Sequence, residues 1–410
     1  MANVSSSNGI EKRPKLRFPG FDEPWQPTLL SSVFAKNTKK NTDGQITNVI
    51  CNSAKQGLIP QREYFDKDIA NSDNTSGYYI IEENDFVYNP RKSTDAPYGP
   101  ISSYKYSEAG IVSPLYLCFR AKKEINPAFF EWYFRSSAWH RYVYMSGDSG
   151  ARHDRVSIKD DTFFAMPINL PSAHEQEHIA SFLERIDHRI KMQRALVDNL
   201  KKYKRGVIQR AFSGRKGNGK DHYPKWEVSS LGDFFTEQTI RTSNSPDTPL
   251  VSLTVEDGIT PKTERYYREF LVTKEGDNYK AIKPGWFAYN PMNAHLGSIA
   301  PNHLGYTAAV SGYYNIFSVN ETETISFWEE YLTSYPMLIH YKLIATGSLI
   351  EKQRVHYSQF VAIRRCLPSV EEQKHLSKLF EAVNKKIANA ESMERQLVRM
   401  RISLLQQLFM

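Results

Sequence analysis

Two long stretches of the chain place hydrophobic residues at heptad spacing, from Pro171 to about Phe212 and from Pro368 to the last residue. This spacing predicts two helices that pack as a coiled coil, each about 60 Å long at about 1.5 Å per residue. The predicted seam residues are Ile179, Leu183, Ile186, Ile190, Val197 and Leu200 in the first stretch, and Leu376, Phe380, Val383, Ile387, Leu397 and Leu404 in the second. Four further seam positions are polar and would fix the pairing and register: Gln193, Lys204, Glu394 and Arg401.

Both stretches begin with the same helix-capping signal. The capping residues are Ser172 and Glu175 in the first stretch and Ser369 and Glu372 in the second. We expect each serine hydroxyl to accept a free N–H of the first turn and each glutamate to reach back to the serine N–H, which is a capping box. The cap and seam residues of the second stretch each lie 197 residues after their counterparts in the first (373 − 176, 376 − 179). The two helices are therefore predicted to be copies of one repeated element.

The residues ahead of each helix also occur twice. Trp25 and Tyr88-Asn89-Pro90 are echoed by Trp226 and Tyr289-Asn290-Pro291, 201 residues further on (226 − 25, 289 − 88). Short apolar runs separated by Gly, Pro, Asn and Ser predict strands and loops with a few helices among them. The chain is therefore predicted to be an α+β tandem repeat, with two similar mixed α/β domains and two long antiparallel helices related by a pseudo-two-fold axis.

These patterns divide the chain into six predicted segments. They are a disordered tail at 1–16, a first domain at 17–168, a first long helix at 170–213, a linker at 214–225, a second domain at 226–366 and a second long helix at 368–410.

Composition adds a preference for an anionic partner. The 410 residues carry a formal net charge of +8 and a pI near 9.1, together with 24 Tyr and 22 Phe. This balance is typical of a protein that meets a polyanion. No apolar run approaches the ~20 residues of a membrane span, and three cysteines lie far apart in the sequence. We therefore expect a cytoplasmic protein without a membrane partner.

The loops between the repeated landmarks differ between the two copies. They follow the two Asn-Pro turns and precede the long helices, and they carry side chains that can address phosphates and base edges. For any single residue, a solvated surface charge is the alternative. The candidate DNA-binding residues are Arg91, Lys92, Tyr98, Arg152, His153 and Arg155 in the first copy, and Asn293, His295, Lys352 and Arg354 in the second.

Several enzyme signatures are present only in part. Residues 214–220 have the spacing of a phosphate-binding loop, but Asp221 replaces the Ser or Thr that would hold magnesium. Asn89-Pro90 matches half of an amino-methyltransferase motif, and the second proline is missing. The histidines form no metal-ligand pattern. We predict no catalytic residue, no metal site and no cofactor in this chain.

The paired Leu-Pro-x-x-x-Glu-Gln helices, each preceded by a variable domain with a Tyr-Asn-Pro turn and an Arg-Val approach, resemble the specificity subunit of Type I restriction–modification enzymes. The resemblance covers the chain from about Phe18. It implies that each globular part is a target recognition domain for one half of a bipartite, asymmetric site in double-stranded DNA. It also implies that the coiled coil sets the spacer and docks two methylation subunits.

The same resemblance implies a non-catalytic chain. Restriction subunits would join the full complex, and S-adenosylmethionine, ATP and Mg are expected only on partner subunits. The residues alone leave a second interpretation open, a coiled-coil scaffold that joins two partner subunits without reading DNA sequence.

Overall fold

The structure, a computed structural model, describes residues 14–64, 75–147, 154–212, 226–262, 279–347 and 353–409. The predicted tail up to residue 13 and the predicted linker at 214–225 lie outside these residues. The chain divides into two compact units, the first made of Met1–Arg194 with Ser392–Met410 and the second of Ala195–Glu391. Each unit therefore contains one globular repeat and parts of both long helices.

The first repeat is a set of small antiparallel sheets with short helices packed beside them. Strands β2, β9, β6 and β7 form a four-stranded sheet in that order, while β3–β4, β5–β8 and β1–β10 form pairs. In chain order the elements are β1 (Gln26–Leu29), α1 (Leu30–Val33), β2 (Phe34–Lys36), β3 (Ile50–Ser53), β4 (Gly57–Pro60), α2 (Gln61–Tyr64), β5 (Tyr79–Ile81), β6 (Phe86–Tyr88), β7 (Ile101–Ser103), β8 (Gly110–Val112), β9 (Leu117–Ala121), α3 (Pro127–Arg135), α4 (His140–Ser146), α5 (Asp160–Phe164), β10 (Pro167–Leu170) and α6 (Ala173–Phe212).

The second repeat follows the same plan. Its elements are β11 (Glu227–Ser230), β12 (Phe235–Gln238), β13 (Arg241–Thr242), β14 (Val251–Thr254), β15 (Gly258–Pro261), β16 (Tyr279–Ile282), β17 (Phe287–Tyr289), β18 (Ile299–Pro301), β19 (Ala308–Ser311), β20 (Asn315–Val319), α7 (Ile325–Leu332), α8 (Tyr335–Ile344), α9 (Tyr357–Val361), β21 (Arg364–Leu367) and α10 (Val370–Phe409). Strands β12, β20, β17 and β18 form the four-stranded sheet, and β14–β15 is the counterpart of the β3–β4 hairpin.

Aromatic side chains form the core of each repeat. Phe86 and Phe119, on neighbouring strands of the first four-stranded sheet, are fully buried and stack with ring centroids 5.6 Å apart. Phe287 and Phe317 occupy the matching strands of the second sheet and stack at 5.2 Å. Aromatic residues favour strands because their rings pack well on a pleated surface with one buried face. The same cross-strand pair therefore organises both repeats.

In the first unit, the start of α6 runs antiparallel to the end of α10. Arg194 pairs with Glu394 at 2.8 Å, and Asp187, two turns earlier on α6, pairs with Arg401, two turns later on α10. A small apolar cluster lies between these pairs and includes Ile190. The polar seam residues Glu394 and Arg401 thus form the predicted kind of register-fixing contact.

In the second unit, the end of α6 runs antiparallel to the start of α10. Lys201 pairs with Glu391 at 2.7 Å, and Phe212 at the end of α6 packs against Phe380 near the start of α10. Lys204 instead pairs with Glu330 of α7 at 2.5 Å. All of the predicted apolar seam residues are buried or half-buried. The predicted fold class, two similar mixed α/β repeats with long antiparallel helices, is confirmed.

The start of α6 differs from the predicted capping box. The Ser172 hydroxyl accepts the Glu175 N–H at 3.3 Å, as expected. The Glu175 carboxylate, however, accepts two bonds from the Arg17 guanidinium at 2.8 Å and one from the Trp25 indole at 3.2 Å. The predicted hydrogen bond from the Ser172 N–H to the Glu175 carboxylate is therefore wrong. A buried carboxylate is stabilised more by two charge-assisted bonds from an arginine than by one backbone amide.

The start of α10 shares only the serine half of this arrangement. The Ser369 hydroxyl accepts the Glu372 N–H at 3.3 Å. Within the described part of the chain, Oε2 of Glu372 is buried without a hydrogen-bond partner. In both helices the next residue, Gln176 or Gln373, donates its side-chain amide to the proline carbonyl ahead of the cap, at 3.0 and 2.9 Å.

Candidate nucleic-acid interface

A cavity of about 860 Å³ opens on the first repeat. The turn between β3 and β4, the loop after Asn89-Pro90, the loop between β8 and β9, and Arg155 form its walls. Burial raises the pKa values of the Cys51 thiol and the Tyr116 phenol, so both side chains on its wall stay neutral. The charge of the cavity therefore comes from the loops at its rim.

The β3–β4 turn holds two polar side chains at the rim. Gly57 has a φ of +73°, a conformation that favours glycine. The Ser53 hydroxyl accepts the N–H groups of Lys55 and Gln56, both at 3.4 Å, and leaves their side chains exposed. Behind the turn, the buried Asn52 donates to the carbonyl of Val87 at 2.7 Å, which fastens the hairpin to β6. The tip is thus held by hydrogen bonds on both sides.

Two arginines lie side by side at the cavity rim. Arg91 and Arg155 form an isolated antiparallel bridge, which the N–H of Lys92 extends by donating to the carbonyl of Asp154 at 2.8 Å. Like charges placed directly opposite one another in such a pair are destabilising. Asp154 approaches Arg155 at only 3.7 Å, with both side chains partly exposed. An anion bound between the two guanidinium groups would relieve this repulsion.

The structure brings three of the predicted site residues of the first repeat together and places a fourth away from them. Arg91, Lys92 and Arg155 all line the cavity. Tyr98 is half-buried elsewhere, with its ring 4.6 Å from that of His140, and this placement favours a packing role. Three predicted residues, Arg152, His153 and Lys352, lie outside the described residues.

In the second repeat, the predicted residues lie on two adjacent segments. Asn293 is exposed and His295 half-buried, in and just before the short 3-10 turn Ala294–Leu296. Arg354 is exposed and pairs through its backbone with Thr346. The next residue, Val355, donates its N–H to the carbonyl of Pro291 at 3.0 Å, which places these segments side by side.

The sequence reasoning missed a second pair of opposed cations. Arg241 and Lys280 are direct partners in the β13–β16 ladder, and Lys280 Nζ donates to the carbonyl of Tyr314 at 2.7 Å. Burial, and then repulsion by Arg241, lower the pKa of Lys280. Glu237 raises that pKa by a smaller amount, so the positive charge of the pair is only partly offset, as it is for Arg91 and Arg155 beside Asp154. The sequence gives no local signal for it, because 39 positions (280 − 241) separate the two residues.

Two other kinds of feature are absent from the described residues. No group of three or more His, Cys, Asp or Glu side chains there could hold a metal ion. None of the helices in this part of the chain has the length and apolar character needed to cross a membrane.

Comparison with known proteins shows what the first repeat and the overall fold are similar to. Residues 23–202 match the family described as the Type I restriction modification DNA specificity domain. Three solved structures share the fold over nearly the whole chain. One, described as the structural basis of complex assembly and conformational transition of the type I R-M system, is 16% identical, covers 96% of this chain and 99% of its own, and has a TM-score of 0.58. The HsdS subunit from Thermoanaerobacter tengcongensis is 16% identical over 98% of both chains, with a TM-score of 0.51. The Type-I restriction-modification system S subunit from M. genitalium is 13% identical, over 97% of this chain and 99% of its own, with a TM-score of 0.56.

Proposed function

We propose that the chain is a specificity subunit of a Type I restriction–modification system, and that each of its two repeats reads one half of a bipartite site in double-stranded DNA. The coiled coil would set the spacer between the half-sites and dock two methylation subunits, and restriction subunits would join the full complex. S-adenosylmethionine, ATP and Mg would be held by those partners, with this chain supplying recognition rather than catalysis.

The observation that carries the proposal is the pair of opposed arginines at the rim of the first cavity. Arg91 and Arg155 are held opposite each other by backbone bonds, so their repulsion is built into the fold. Lys55, which pairs with Asp95 at 3.5 Å across exposed side chains, and Lys92 border the same opening. DNA phosphates neutralise such a group of cations and release counterions, which is the main source of affinity in protein–DNA binding. Arg241 and Lys280 offer the same arrangement in the second repeat.

Exposed apolar side chains on the helices of the first unit support the docking of a protein partner. Met393 and Met400 lie one heptad apart on one face of α10 and are 43% and 44% exposed. Met192 on α6 is 57% exposed. Methionine is common on surfaces that bind protein partners because its side chain adapts to their shape. We assign the face of α10 that carries Met393 and Met400 to a methylation subunit.

A binding experiment tests the DNA proposal. The chain, assembled with its methylation subunits, is mixed with random duplexes, and the bound DNA is footprinted. We expect two protected segments separated by an unprotected gap. A scaffold that does not read sequence would protect no defined segment.

The cavity itself is tested with the double variant Arg91→Ala/Arg155→Ala. We expect at least a tenfold loss of affinity, and a slope of log K against log salt that is shallower by about 2, because each lost phosphate contact contributes about 0.9. Lys123→Ala removes an exposed charge that does not line the cavity and should leave the slope unchanged. Equal slopes for the wild type and the double variant would contradict the assignment.

A further inference from the structure

Each repeat exposes one large side chain at the same loop tip. Leu115, between β8 and β9, is 60% exposed, and Tyr313, between β19 and β20, is 85% exposed. The two positions are 198 residues apart (313 − 115) in corresponding loops. A single exposed apolar residue is ordinary on a protein surface. Here, however, two such residues occupy matched positions in repeats whose other loop residues differ. This match indicates that both side chains have the same role.

The backbone holds both tips in the same turn. In the first repeat the Ser113 hydroxyl accepts the Leu115 N–H at 3.3 Å, and in the second the Ser311 hydroxyl accepts the Tyr313 N–H at 3.3 Å. In both turns the residue after the tip donates its N–H to the serine carbonyl at 3.0 Å. A turn that is already ordered loses little conformational entropy when its tip contacts a partner.

The surroundings of both tips are cationic. Leu115 lines the cavity that Arg91 and Arg155 border. Next to Tyr313, the carbonyl of Tyr314 accepts a hydrogen bond from Lys280, which Arg241 faces across the β13–β16 ladder. An apolar tip among cations that nearby carboxylates offset only in part fits a partner that presents negative charge and apolar faces together. DNA has both, in its phosphates and in its base edges, thymine methyl groups and base steps.

We propose that Leu115 and Tyr313 enter a DNA groove and contact bases, Leu115 in the half-site of the first repeat and Tyr313 in that of the second. This proposal rests on the proposed function. A leucine contacts a thymine methyl group or wedges at a base step, and a tyrosine stacks on a base face. The cations beside each tip bind the phosphates of the DNA backbone, while the tip makes binding depend on the base sequence.

Selection from a random duplex library tests the proposal. The wild-type chain and the variants Leu115→Ala and Tyr313→Ala are each assembled with methylation subunits, and the sequences they retain are compared. The matched controls are Leu29→Ala in the first repeat and Tyr335→Ala in the second, which truncate side chains that are 46% and 77% exposed at other sites. Because every substituted side chain is exposed, all variants should keep the wild-type melting temperature.

We expect Leu115→Ala to relax the base preference at one or two positions of one half-site, and Tyr313→Ala to do so only in the other. Affinity for the wild-type sequence should fall about 5- to 30-fold, the scale of one lost base contact, with an unchanged salt slope. The controls should retain both half-sites. If both tip variants select the wild-type sequences at wild-type affinity, the proposal is wrong. If the wild type itself selects no split site, the proposed function fails instead.

Discussion

The two repeats share a scaffold and differ at its rim. The stacked phenylalanine pair recurs on corresponding strands, Phe86 with Phe119 and Phe287 with Phe317. The tip of the β3–β4 hairpin is basic at Lys55, whereas the corresponding residue of the β14–β15 hairpin, 201 positions on, is Glu256. The core therefore tolerates a reversal of charge at the loops, because the loops lie outside the packing that stabilises the sheet. One scaffold can carry two different recognition surfaces.

The largest expected effect comes from the shared core. Phe119→Ala and Phe317→Ala each remove a fully buried ring from a stacked pair, and we expect each to lower the free energy of unfolding by about 3–5 kcal/mol. Hydrogen exchange should show the lost protection only in the repeat that carries the substitution. The exposed-site variant Leu29→Ala should change stability by less than about 0.5 kcal/mol. Equal loss of protection in both repeats would show that they are not separate cores.

A charge exchange at the hairpin tips should have an intermediate effect. Lys55→Glu should weaken DNA binding by about 1 kcal/mol and reduce the salt slope by about 1, through the loss of one phosphate contact. Glu256→Lys should strengthen binding to any duplex and steepen the slope by a similar amount. Titrations at several salt concentrations measure both slopes. As a control, Lys123→Glu makes the same change of charge at a position that does not line the cavity. If Lys123→Glu changed the salt slope as much as Lys55→Glu does, the proposed contact between Lys55 and a phosphate would be refuted.

The smallest effect should depend on pH. Lys105 pairs with Glu131 at 2.9 Å in the first repeat, and His303 pairs with Glu329 at 3.0 Å at the matching place in the second, 198 positions on (303 − 105, 329 − 131). The hydrogen bond to Glu329 raises the pKa of His303 above its usual 6.5. The stabilisation is therefore complete below about pH 6.5 and is lost as the pH rises through the raised pKa. The His303 side chain is 60% exposed, so we expect at most about 0.5 kcal/mol.

Urea unfolding at pH 6 and pH 8 measures this effect. His303→Lys should remove part of the wild-type loss of stability between the two pH values, since a lysine stays charged throughout. Lys105→His should add a loss of the same sign in the first repeat. The comparison is between each variant and the wild type, because the pH dependence of the rest of the protein is common to both. A His303→Lys protein with the full wild-type pH dependence would exclude this ion pair as a contributor.

The helices and the duplication could be predicted because their signals are periodic in the sequence. A heptad or a repeated Tyr-Asn-Pro turn is visible without knowing which segments meet. The partners of Glu175 were not predictable in this way, because Arg17 lies 158 positions away and no local pattern connects them. Leu115 and Tyr313 had a signal, the repeated serine two residues ahead of each tip, but its meaning depends on the cations that the fold brings beside them.

The last turn of α10 contributes Leu405, Leu408 and Phe409 to the core of the first unit, where the Phe409 ring lies 5.5 Å from that of Phe129. On the ribosome, 280 residues (409 − 129) are added between these two rings, which takes roughly 15 to 55 s at about 5–20 residues per second. The core of the first unit is therefore complete only after the second repeat has been synthesised. A chain that stops before Leu405 would expose apolar surface in the first unit, where chaperones and proteases could detect the error.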